Sequence, residues 1–401
     1  MAIRPILSAM LRNKTGAILV GLQIAITLAV VANSVFIITQ RVEKINRPSG
    51  IDSENLFFVQ SYGYGPNYNQ RETVRHDLDL IRSMPGVVAA SVTGGIPLSG
   101  GGQATGYSPT TDKDFEPVDG NVYNVDEYGV EAFGITLSAG RAFTEQEIQY
   151  DEQVGSKFVP SIIITQAMAK DLFGDEPALG KNVYDNLGQS AVVVGVIDHM
   201  LGAWVDWDEL DHVALHPRIP DGPSVRYVVR AEPGRRDALI LEVEKKLSEA
   251  DLSRSVNWVR SHEYYTERSY RNDSRMVSLL SVMIVLMIAV TALGIVGLAS
   301  FHVNQRKKQI GTRRAVGARR VDIIRYFMLE NWLLTTAGVF LGAILAFAFG
   351  QWLSSAYSLP RLEPWYVAAG IVLLWILGQL AVYVPARRAA AIPPALATRT
   401  V

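Results

Sequence analysis

Cysteine is absent from this chain. Disulfides, thiol nucleophiles and cysteine-ligated metals are thereby excluded, so any exported part must rest on its hydrophobic core. Histidine is scarce, with six residues in all, and only His212 and His216 in HVALH stand at a helical metal-ligand spacing. That pair lacks the Glu of a zinc-binding HExxH, and β-branched Val213 beside Pro217 favours a strand, so no metal site is expected. No Ser/His/Asp arrangement has a nucleophile context. A phosphate-cradling Walker loop is missing too: in GDEPALGKN, Gly174 and Gly180 are one residue too far apart and Asn182 replaces the hydroxyl. The glycines at 94, 95 and 100–102 are followed by no GK[ST] and read as part of a long irregular loop over about 94–120. No catalysis, bound cofactor or nucleic-acid partner is expected of this chain.

Charge is missing where it matters most. Ala17–Ile38, Met276–Val303 and Tyr366–Ala386 carry none, and Phe327–Gly350 carries Glu330 alone near its start. Each approaches or exceeds the roughly 20 residues a helix needs to cross a bilayer core of about 30 Å. Four transmembrane helices are expected. The first reads as a retained anchor and not as a signal peptide, because its apolar part is too long and TQRVEKINR follows without a small-residue cleavage pattern. Trp332, Trp352, Tyr357, Trp365 and Tyr366 fall near the predicted span ends, as interfacial anchors do.

The formal net charge of −1 conceals an uneven distribution. Residues 306–325 hold eight Lys/Arg against one acid, Asp322, between the second and third apolar runs. Such an excess in a short loop fixes that loop on the cytoplasmic side. Arg387, Arg388 and Arg399 near the end agree. With four spans, both termini are then cytoplasmic and residues 39–275 lie outside. Ile310, Val316, Val321, Ile324 and Phe327 separate the charges at helical intervals, so 306–325 is expected to be a basic, partly amphipathic helix, suited to dock a cytoplasmic partner or, alternatively, to anchor on the anionic headgroups of membrane lipid. Glu330 must be near the interface, paired or protonated, and Arg387 or Arg388 is the expected partner. A proton relay is not expected, for want of a second intramembrane acid or histidine. Gly338 and Gly342 form a GxxxG suited to close helix packing; Ala25 and Ala29, and Gly294 and Gly297, offer further small-residue faces.

The intervening region reads as mixed α/β. Strands are expected at Leu56–Val59, Val87–Val92, Val122–Val125, Ser161–Ile164, Ala191–Ile197, Arg226–Val229 and Ser255–Val259. Helices are expected at about 71–83, 166–173 and 235–250. The polar segment 261–275 is suited to extend the second span outward as a helix.

Three pieces of the chain resemble the MacB/FtsX-type ABC transporter permease family. After the second span, Arg306, Ile310, Gly311, Arg313, Arg314, Ala315, Gly317, Ala318, Ile323 and Glu330 fit the family's R-x-x-E-I-G-x-R-x-A-x-G-A-x-x-x-x-I pattern and the Glu-opened helix that follows. Gln309 departs from the usual acid. At the end, Pro385, Ala386, Arg387, Arg388, Ala389, Ala390, Ile392, Pro393 and Pro394 fit P-A-x-R-A-x-x-x-x-P, with Pro393 in place of an Asp. In the outer region, GITLSAGRAF, IIITQAMAKDLFG and ALGKNV…VVVGVIDH look like the family's extracytoplasmic core domain.

The resemblance implies residues 1–45 as a cytoplasmic segment and first span, 46–270 as a MacB-like core domain, and 271–401 as an FtsX-like domain with the remaining spans. It implies a bacterial inner-membrane protein with its large domain in the periplasm. It further implies a transmembrane dimer, of identical or paralogous chains, driven by separate cytoplasmic ATPase subunits that hold the ATP and Mg. In such proteins a coupling helix, here about 306–325, passes ATP-driven motion along the second span. Arg306, Gln309, Ile310, Gly311, Arg313, Arg314, Gly317, Arg319 and Arg320 are the candidate coupling residues. Ile310 is the expected apolar contact, and Arg313 and Arg314 the register-setting charges. The leading function is export of a peptide, drug or lipid-like molecule, passed to a periplasmic adaptor and outer-membrane channel. The alternatives are a mechanotransmitter controlling an extracytoplasmic cell-wall enzyme, and a passive membrane-anchored binding protein.

Overall fold

A computed structural model describes residues 14–65, 68–112, 114–150, 159–186, 188–219, 221–357 and 360–393. The chain divides into two units, one of Met1–Asn46 with Asn272–Val401, the other of Arg47–Arg271.

The charge-free runs of the first unit become helices longer than the runs themselves, because polar residues extend each one beyond the hydrocarbon. They are α1 (Lys14–Ile45), α7 (Arg271–Gln305), α9 (Arg320–Tyr357) and α10 (Pro364–Ala390), and all four are long and apolar enough to cross a membrane. Small residues let α1 and α9 close on each other. A Cβ on Gly338 would lie 2.9 Å from Ile24 Cβ, and one on Gly342 would lie 2.9 Å from Ala25 O and from Leu28 Cβ. Buried polar groups join the helices further: Thr27 and Thr291 hydroxyls are 2.8 Å apart, and Asn33 Nδ2 donates to Ala346 O at 3.1 Å. At the outer end of α7, Asp273 is buried between Arg41 (2.5 Å) and Lys44 (3.1 Å) of α1. Gly294 faces Gln23 of α1, whereas Gly297 meets nothing within 4 Å. Of the aromatic anchors, Trp332 stacks on Trp375, Trp352 stacks on Phe349, and Tyr366 meets Phe36 edge-on. Pro394 and Arg399, like the Tyr357 side chain, lie outside the described residues.

In the second unit, alternating apolar residues build two sheets. The first has the antiparallel order β12 (Arg254–Ser261), β1 (Leu56–Gly63), β11 (Ser224–Ala231), β2 (Val87–Val92). Because strand side chains alternate, Phe57 and Val59 of β1 meet Val74, Leu78 and Ile81 of α2 (Gln70–Arg82) and Leu239, Val243 and Leu247 of α5 (Arg236–Ala250), while Leu56 and Phe58 enter a core shared with the second sheet.

That sheet runs β4 (Val118–Val125), β3 (Gln103–Ser108), β8 (Asn182–Asp185), β9 (Ser190–Ile197), β7 (Ser161–Thr165), β10 (Val213–Ile219), β6 (Gln149–Tyr150), and β4 also pairs with β10. Short β5 (Leu137–Gly140) adds to β9 after the one-turn helix α3 (Gly129–Phe133). Ile162 and Ile164 of β7 pack with Met168 and Leu172 of α4 (Gln166–Phe173), and Ile163 points the other way into the shared core. HVALH lies in or beside β10, where His216 is buried against Tyr107 (2.8 Å) and burial pushes its pKa down to about 3.

Two expectations need correction. Residues 94–120 are not one irregular loop, since they contain β3 and the start of β4, and the glycine-rich part is anchored by Leu98 N–H to Gly202 O (2.9 Å) and Gly100 N–H to Ala203 O (2.8 Å). Ile96 and Leu98 are buried, and Leu98 adopts φ 55°. The polar segment 261–275 is helical in two pieces, α6 (His262–Ser269) and the start of α7, interrupted at Tyr270.

One fully buried ion pair ties the first sheet to its helices. Arg254 donates to Asp77 Oδ2 (2.6 Å) and to Leu247 O (2.7 Å), and the Tyr227 hydroxyl donates to the same Asp77 oxygen (2.8 Å). Burial pushes the Asp77 carboxyl up to about 6, against the pull of Arg254 and Tyr227.

Candidate functional site

The basic segment leaves α7 at Arg306, whose φ of −102° and ψ of 11° break the helix. A nine-residue helix α8 (Lys307–Ala315) follows. It ends in a left-handed turn: Gly317 takes φ 101°, its N–H reaches Arg314 O (3.2 Å), and Ala318 N–H reaches Arg313 O (3.0 Å). This is the paired terminal bonding that glycine allows at a helix end. Asp322, the lone acid of the block, accepts from the Arg319 N–H at 2.9 Å and so caps the start of α9. The single helix expected over about 306–325 is therefore two helices joined by a turn, with Arg320 already in α9.

This break decides which residues face outward. Within α8 only Ile310 and Gly311 are buried. Ile310, 5% exposed, shares an apolar cluster with Ile323 and Phe327 of α9 and Ala386, Ala389 and Ala390 of α10. The expected apolar contact for a partner is thus internal to the chain. Exposed instead are Lys307, Lys308, Gln309, Thr312, Arg313, Ala315 and Gly317, with Arg319 and Arg320 beyond the turn. At the tip Val316 is 85% exposed, an apolar side chain within a sequence segment rich in Lys and Arg. Val321 is exposed as well. Arg313 lies over the Tyr326 ring (5.1 Å), while half-buried Arg314 turns inward to Ala318 O (3.2 Å).

Glu330 is buried and paired, but not with Arg387 or Arg388, which are exposed in the last turn of α10. Its Oε2 accepts from Arg306 Nη1 at 2.9 Å, and its Oε1 lies 3.3 Å from His302 Nδ1. Arg306 also donates to the Tyr326 hydroxyl at 3.1 Å. The antiparallel return through α8 brings the end of α7 beside the first turns of α9, which sequence depth alone does not reveal. Beside the pair, Ala17, Leu298, Ala299, Phe327, Asn331 and Val382 help enclose a cavity of about 30 Å³, room for a water or two. The sequence reading overlooked His302 although it lies inside a predicted span.

The FtsX-like permease C-terminal model matches residues 281–394, and the MacB-like periplasmic core domain model matches residues 21–246, more than half of the chain. The chain belongs to the MacB/FtsX-type ABC transporter permease family. It is 24% identical over 301 residues to the uncharacterized ABC transporter permease YknZ of Bacillus subtilis (strain 168), covering 71% of each protein. To the macrolide export ATP-binding/permease protein MacB of Neisseria meningitidis serogroup B it is 24% identical over 361 residues, covering 86% of this chain and 52% of that protein. The chain thus spans about half the length of such MacB relatives. It also shows likeness to the periplasmic region of MacB from Actinobacillus actinomycetemcomitans, at 13% identity and a TM-score of 0.33, covering 55% of this chain and 94% of that one. As a MacB/FtsX-type permease, the chain is a membrane protein with a large extracytoplasmic domain, and membership implies an ABC ATPase working with it.

Proposed function

We propose that this MacB/FtsX-type permease is driven by a separate cytoplasmic ATPase subunit that seats on the exposed face of α8. The observation that carries this is the exposure of Lys308, Gln309, Thr312 and Arg313 on a short helix between two spans, and of Val316 just after it, with Ile310 turned inward. An exposed apolar tip on a basic segment suits a partner's groove: the apolar contact supplies affinity, and the charges set register and encounter rate. The eight-to-one charge excess of residues 306–325 supports a cytoplasmic position for this face and an inner-membrane location, with residues 47–271 in the periplasm.

ATP and Mg belong to that partner, and a second permease chain completes the assembly. The work done outside is export of a peptide, drug or lipid-like substrate through an adaptor and outer-membrane channel, a reading supported by the export in the MacB relatives' names. Val316→Asp combined with Arg313→Glu should reduce the ATPase recovered with the chain from mild-detergent membranes at least tenfold, with membrane insertion unchanged. Full recovery of the ATPase with that variant would remove α8 as the docking element. A murein hydrolase recovered with the wild-type complex, in place of an adaptor, would favour the regulatory alternative.

A further inference from the structure

The contacts of α7 with the rest of its unit are unevenly spread. Its buried residues are Asp273 at the outer end and Thr291, Ile295, Ala299, His302 and Val303 toward the cytoplasm, with none from Ser274 to Val290. At 1.5 Å per residue that stretch is about 25 Å long, and only a half-buried stripe of Val277, Leu280, Met283, Ile284, Met287 and Ile288 faces the rest of the unit along it. The helix is therefore pinned at its outer end, half-buried along its middle and most deeply buried over its cytoplasmic third. At that end the chain bends at Arg306, whose φ of −102° and ψ of 11° leave helical values although its N–H still reaches His302 O at 3.1 Å. Across the bend, Glu330 of α9 accepts from Arg306 at 2.9 Å and has its other oxygen 3.3 Å from His302 Nδ1, and all three side chains are largely buried. Charges paired away from water attract more strongly than surface pairs do, and they are costly to separate. Arg313 of α8 and Arg306 both lie over Tyr326, one turn before Glu330, so α7, α8 and α9 converge on one place.

We propose that Glu330 is a positioning residue for transmission: by holding Arg306 and His302 across the bend, it makes the second span follow α8 when α8 is displaced. The inference rests on α8 being the ATPase contact. No group passes through Glu330; its part is to keep α7 and α9 moving together.

The chain has no cysteine, so introduced cysteines at Val285 on α7 and Val372 on α10, both exposed, take spin labels selectively within it. The full chain is purified with whatever ATPase accompanies it from native membranes, and label distances are measured with and without ATP plus vanadate. The wild-type complex should show a nucleotide-dependent shift. Glu330→Gln and Arg306→Gln should bring down as much ATPase as wild type but lose at least half of that shift, whereas Arg306→Lys, which keeps the charge, should retain most of it.

Gln variants that keep the full shift would overturn the proposal. So would Gln variants that lose the ATPase, because Glu330 would then merely support the docking face. An Arg306→Lys protein as impaired as Arg306→Gln, or a wild-type complex without any shift, would also overturn it. If the wild-type chain brings down no ATPase at all, the docking reading itself fails and the joint falls with it.

Discussion

Arg254→Met in the outer unit is expected to cost about 3–5 kcal/mol of stability, the range for removing one partner of a buried ion pair. Met keeps the length and apolar packing of the arginine stem but leaves Asp77, fully buried, without its cation, and frees the Leu247 carbonyl. The loss should depend on pH in a definite direction. Burial already holds the Asp77 carboxyl up to about 6, above the roughly 3.9 of an unfolded aspartate. A group raised in this way contributes most when protonated, and that contribution is lost as pH rises through its folded value. Without Arg254 the folded value moves higher still. The destabilisation relative to wild type should therefore be larger at pH 8 than at pH 5. Urea unfolding of residues 47–271 at both pH values measures it. A difference below 1 kcal/mol, or a larger cost at pH 5, would show that the pair does not hold the sheet to its helices. Asp77→Leu with Arg254→Met should recover much of the loss, since no buried charge then remains.

The second large effect distinguishes Ile310 on α8 from Val316 at its end. Ile310→Asp puts a carboxylate into the cluster of Ile323, Phe327, Ala386 and Ala389, where an unpaired polar group costs several kcal/mol. The expected result is loss of assembled protein from the membrane fraction, with proteolysis in the 306–325 region. Val316→Asp, six residues on and exposed, should accumulate to wild-type level with an unchanged protease pattern. Equal accumulation of the two proteins would mean that Ile310 faces outward, and the orientation of α8 would have to be reversed.

The membrane helices are legible from sequence because the signal is absolute: twenty residues without charge have few other destinations. Elements whose own residues pack a core are nearly as clear. The β2 span Val87–Val92 and the α4 span Gln166–Phe173 coincide with the sequence reading. Strand β3 is not legible, because QATGYS carries little apolar alternation and exists as a strand through pairing with β4 and β8. The two-helix form of 306–325 was written in residues whose meaning is local: Gly317 at a left-handed turn and Asp322 three residues after Arg319. Reading only the spacing of apolar residues merged the two helices, placed Ile310 on the surface and missed Val316 as the tip. The partner of Glu330 depends on how a hairpin of helices closes. Depth along the membrane suggested Arg387 or Arg388, but the turn through α8 delivers Arg306 and His302 instead.

The contact proposed for the α8 tip is with a cytoplasmic ATPase. A photo-cross-linking residue at Val316, irradiated in native membranes, should capture a protein that carries a nucleotide-binding domain. The same residue at Leu241, exposed on α5 of the outer unit, should not capture it. Adducts with lipid alone at Val316, or capture of a periplasmic protein there, would contradict the claim.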